Sequence, residues 1–138
     1  MGKTSYMEIG GKQYPLRFGI GTAKAMSERF GSMEKMIDSM KDRPENEIID
    51  SMVWMIEALI RQGCAYKNIF EADLPITDNA PVKEGKYVPL TKEEIEIGLE
   101  ISDIAQLKEI IFGAVISESK PEIKTIPKGK EEKNAGTA

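Results

Sequence analysis

Apolar and polar positions alternate with a period of two near the start of the chain. Tyr14, Leu16 and Phe18 are apolar, and Pro15 and Arg17 stand between them, so the spacing predicts a strand with one buried face. Tyr6 and Ile9 precede it, and Gly10-Gly11 supplies the positive φ angles of a two-residue turn, which makes residues 4–18 an antiparallel hairpin. Pro15 has no amide proton, which places it at an edge or facing outward. From Thr22 the period becomes helical, and five helices follow, over about 22–30, 32–41, 44–62, 91–100 and 103–117. Thr22 is the expected N-cap of the first and Gly31 its stop. Ser32 opens the second, which carries Met33, Met36, Ile37 and Met40 as an amphipathic stripe.

Asp42 and Glu45 have the spacing of a capping box before the third helix, and Gly63 is its expected end. Its positions Ile48, Ile49, Met52, Val53, Met55, Ile56, Leu59 and Ile60 are apolar over most of the circumference, as suits the central helix of a bundle. A short helical turn follows through Tyr66, Ile69 and Phe70. Residues 71–90, with Pro75, Pro81, Gly85 and Pro89, read as an irregular connection with an extended piece at Tyr87-Val88. Thr91-Lys92-Glu93-Glu94 is a capping box for the fourth helix. Ile104, Leu107, Ile111 and Val115 share one face of the fifth. The fold class is α+β: a short N-terminal antiparallel β-hairpin packed on a mainly α-helical bundle of four or five helices. It forms one globular domain over 1–117. Residues 118–138 contain five lysines, four glutamates and no aromatic residue, and are expected to be a disordered charged tail that acts as a linker or docking segment.

Composition removes more functions than it suggests. The 138 residues include no histidine, and with it go the usual general base and the Ser-His or Cys-His nucleophile pair. A single cysteine, Cys64, excludes an internal disulfide and a thiolate metal cage. A net charge of −4 argues against binding nucleic acid through its phosphates. No segment has the length of a membrane span, since the apolar run Met52–Ile60 is interrupted by Glu57. The start lacks the apolar region of a secretory signal. The expectation is a cytoplasmic protein that is not an enzyme and uses no cofactor.

Other chemistry-like features have plainer readings. Gly10-Gly11 with Gly19 and Gly21 lacks the spacing and Lys-Ser/Thr of a phosphate loop. Cys64 near a helix end reads as a small buried residue, and Glu93, Glu94, Glu96 and Glu100 as a solvated helix face without calcium-loop spacing. The methionines admit two readings. Six of eight lie between Met26 and Met55, together with Trp54. The first reading is core packing between helices, and the second is an adaptable apolar groove for a partner helix. On the second reading Met33, Met36, Met40 and Trp54 contribute to the partner-binding surface, with Trp54 as a partly exposed anchor.

Residues Met7–Gly31, MEIGGKQYPLRFGIGTAKAMSERFG, resemble the opening of the tail assembly chaperones of long-tailed phages and prophages. The shared features are a short strand, a glycine-lysine turn at Gly11-Lys12, the strand Tyr14-Pro15-Leu16-Arg17-Phe18-Gly19, and a helix ending near Gly31. The likeness in architecture extends over about 6–117, including Pro89-Leu90-Thr91-Lys92-Glu93-Glu94 before a terminal helical pair. The connection 71–90 is longer than the family pattern. The resemblance implies a factor that binds the tape measure protein, keeps it soluble and helps recruit the tail tube protein. It would work in the host cytoplasm and be absent from the mature virion. Self-association is compatible with it, and neither nucleic acid nor membrane is a partner. The competing expectation is a structural or adaptor subunit of a phage particle, of the tail-completion or head–tail connector type.

Overall fold

The computed structural model describes residues 5–119, with side chains through Gly113. Strands β1 (Ser5–Ile9) and β2 (Lys12–Leu16) pair antiparallel with Ile9 opposite Lys12 and Ser5 opposite Leu16. Gly10 and Gly11 hold φ at 60° and 83°, so the turn twists as a right-handed ribbon requires. Helices α1 (Ile20–Phe30), α2 (Met33–Asp38), α3 (Glu45–Phe70), α4 (Lys92–Gly98) and α5 (Ile104–Ser119) follow. A second small hairpin, β3 (Val82–Lys83) with β4 (Lys86–Tyr87), precedes α4, and one 3₁₀ turn, Ile101–Asp103, precedes α5. The α+β class and the hairpin-plus-bundle arrangement are as the pattern predicts. Most of the expected tail, residues 120–138, lies outside the described residues.

The central helix departs most from expectation. Instead of stopping at Gly63, α3 runs 26 residues to Phe70 and absorbs the expected separate turn at Tyr66–Phe70. Gly63 is where β2 crosses the helix. A Cβ there would press on the Pro15 carbonyl and sit 2.9 Å from the Leu16 amide nitrogen. The missing side chain lets the Arg17 amide donate to the Leu59 carbonyl at 3.1 Å, a link between strand end and helix backbone. This contact also corrects the one-faced picture of β2. Tyr14, Pro15 and Leu16 are all buried, because the hairpin is covered on both sides at that point. Pro15 makes no demand for a hydrogen-bond acceptor there.

Two caps differ as well. Thr22 lies inside α1, whose N-cap is Gly19, and its buried hydroxyl donates to the Arg17 carbonyl at 2.8 Å. Asp42 takes φ of 51° and makes no capping box; Pro44 precedes α3 instead. Ser32 does cap α2, accepting from the Lys35 amide at 3.0 Å, and α1 does end at Gly31.

The connection 71–90 is pinned by one side chain. Asn68, near the end of α3, donates from Nδ2 to the Tyr87 carbonyl at 3.0 Å, while its Oδ1 accepts the Tyr87 amide at 2.9 Å. The amide side chain thus pairs with β4 as a neighbouring strand would. The Gln13 amide donates to the Asn79 carbonyl at 2.8 Å and ties the connection to β2. With two hydrogen bonds worth about 1 kcal/mol each, Asn68→Ala is expected to cost about 2 kcal/mol. It should also make 71–90 the first site of limited proteolysis; an unchanged cleavage pattern would contradict this role for Asn68.

Candidate partner-binding surface

The four residues expected on a partner surface are not exposed together: two are buried and two are half-buried. Met36 is fully buried and Met40 is 3% exposed, both within the core that also holds Met26, Met52 and Met55. Met33 and Trp54 are half-buried and packed against that core. Trp54 stands edge-on to Phe30, ring centroids 5.6 Å apart, and the Arg29 guanidinium lies 5.0 Å from its ring centre. The physical reason is direct. A stripe at i, i+3, i+4 and i+7 faces the nearest apolar surface, and for the short α2 that surface belongs to its own chain.

An open apolar surface exists elsewhere. A groove of about 410 Å³ runs between α3, α4, the 3₁₀ turn and α5. Its apolar lining is Ile49 and Val53 from α3, Ile95 from α4 with Leu99 just past its end, Ile101 from the 3₁₀ turn, and Ile104 with Leu107 from α5. Ile49 and Val53 are four residues apart on α3, and Ile104 and Leu107 three apart on α5, so one face of each of these helices supplies a wall. Ile95 is fully buried and forms part of the floor, whereas Ile101 is 77% exposed at the rim.

Local sequence chemistry sets the walls. The Thr91 hydroxyl accepts from the Glu94 amide at 3.2 Å and the Glu94 carboxylate accepts from the Thr91 amide at 2.9 Å, which is the expected capping box. Lys92 reaches Asp50 at 3.0 Å and ties α4 to α3. The Asp103 carboxylate accepts the Glu100 amide at 2.8 Å and fixes the turn that separates α4 from α5.

The sequence carried a signal for this groove that the helix-by-helix reading missed. Leu99, Ile101, Ile104 and Leu107 belong to three elements, and only the break at Leu99–Glu100 brings them to one side. A second exposed apolar group, Ile69, Phe70, Leu74 and Ile76, lies at the far end of α3.

Neither a family model, nor a curated protein, nor a solved structure matches this chain. The function must therefore be argued from its own residues. Glu93, Glu94, Glu96 and Glu100 are exposed, and among the described residues no group of His, Cys, Asp or Glu side chains converges as a metal site would require. Among the same residues no helix is long and apolar enough to cross a membrane.

Cys64 is 1% exposed, and burial pushes its thiol up to about 12. The folded thiol keeps its proton through a range where an ordinary thiol, near 9, has lost it. The unfolded state then binds fewer protons, so stability is expected to fall as pH rises from 9 toward 12. That fall should be smaller in Cys64→Ala, where the raised Tyr14 phenol still lowers stability at high pH because its burial holds the proton on. At pH 8, labelling of the native protein by a thiol reagent should run at least about a hundredfold slower than in denaturant. Equal rates would show that the thiol is open to solvent.

Proposed function

We propose that this chain is a phage tail assembly chaperone that shelters an apolar helix of the tape measure protein in the groove between α3, α4 and α5. The observation that carries this reading is the groove itself: apolar walls from three helices with the exposed Ile101 at its mouth. The resemblance of Met7–Gly31 to the opening of the chaperone family supports it from an independent part of the chain. Burying a few aliphatic side chains contributes about 1.5–3 kcal/mol each. The cost of association takes back much of that sum. The result is reversible binding, as suits a host-cytoplasm factor that releases its client and is absent from the mature virion. The Ile69–Ile76 group lies about 24 Å farther along α3 at 1.5 Å per residue, which leaves room for a tail tube subunit or a second copy at the same time.

Co-expression with the tape measure protein of the same phage tests the reading. The expected result is a soluble complex that co-purifies, and its loss in Ile101→Asp while the thermal unfolding of the variant stays at the parent value. An insoluble tape measure protein, or the chain present at fixed copy number in purified virions, would overturn it.

A further inference from the structure

Among the described residues the groove's polar lining consists of two side chains, Glu96 and Glu100, both exposed. Among the described residues no lysine or arginine lines it. The surrounding strip from Thr91 to Asp103 carries five carboxylates and one lysine. That lysine, Lys92, is already committed to Asp50 at 3.0 Å. Glu94, Glu100 and Asp103 are turned to backbone amides in capping boxes, which leaves Glu93 and Glu96 wholly to face whatever approaches, while Glu100 stays exposed on the groove lining.

We infer that the groove selects an amphipathic helix whose apolar stripe is flanked by lysine or arginine. This rests on the groove being the client site proposed above, and it adds the chemistry of the client. Three features narrow the occupant. The walls are helices and a 3₁₀ turn, with no strand edge for an extended peptide to join, so the docking mode is helix in groove. The apolar lining accepts residues at i, i+3, i+4 and i+7 of the incoming helix. The carboxylate rim attracts cationic flanks and repels anionic ones, which disfavours fatty acids and acidic helices that the apolar walls alone would accept. The rim therefore supplies selectivity and the walls supply affinity.

Two synthetic helices with the same leucine stripe, one flanked by lysines and one by glutamates, titrated into the full chain by fluorescence anisotropy, test this. At low salt the lysine-flanked helix is expected to bind at least about tenfold tighter, with the gap shrinking severalfold in about 0.5 M salt. The double variant Glu96→Lys/Glu100→Lys is expected to reverse the order. Equal affinities, an order unchanged by the double variant, or dodecanoate binding more tightly than the lysine-flanked helix would overturn the inference. If the peptides show no charge preference yet Ile101→Asp still abolishes co-purification of the client, the charge rule alone falls. If Ile101→Asp affects neither peptides nor client, the groove falls as the client site.

Discussion

Gly63→Ala is expected to lower stability by about 3 kcal/mol, and Gly63→Val to prevent folding. The added methyl would meet the Pro15 carbonyl and the Leu16 amide, both backbone groups, with no flexible side-chain end able to move aside. Either β2 lifts from α3 or the helix bends away. The Arg17-to-Leu59 hydrogen bond is lost in both cases. Overpacking of a close contact typically costs about 1–3 kcal/mol, and rigid backbone on both sides puts this case at the upper end. Gly113 in α5 is the control, because a Cβ there meets nothing within 4 Å. Gly113→Ala should stabilise by roughly 0.5–1 kcal/mol through helix propensity alone. Urea unfolding of the two variants measures both signs. A harmless Gly63→Ala would contradict the crossing of β2 over α3.

The second large effect separates core from surface among the methionines. Met36→Asp places a carboxylate where the parent side chain has no exposure, and Met36 lies in the same cluster as Met26, Met52 and Met55. An unpaired buried charge has no compensating partner there, and losses above about 4 kcal/mol are the signature of such substitutions. Against a total stability of about 5–15 kcal/mol, that removes a large share of the margin and lowers the unfolding temperature sharply. Met40→Asp should behave similarly. Circular dichroism and thermal unfolding decide the matter. A folded Met36→Asp protein that has lost only its client would return this stripe to the partner surface.

What the sequence disclosed, and what it hid, follows from the range of the interactions involved. The first hairpin was legible because Gly10-Gly11 sits between alternating runs, and the Thr91 capping box because both partners lie within four residues. The stop at Gly63 was misread: a glycine after a helical run signals a C-terminus unless another backbone crosses there, and Pro15 lies 48 positions away in the chain. Asn68 gave no local sign of its pairing with Tyr87, since an amide near a helix end usually faces water. The methionine stripe of α2 was correctly located as an apolar face, but periodicity cannot say whose apolar surface meets it. The groove required three elements and the Glu100–Asp103 turn to converge, a long-range outcome that no single helical pattern contains.

Hydrogen exchange on the complex with the tape measure protein, compared with the chain alone, tests the central claim most directly. The account predicts slowed exchange over residues 49–53 and 95–107, where α3, α4 and α5 form the groove walls. Unchanged exchange there, with protection confined to residues 66–76 or absent throughout, would contradict it.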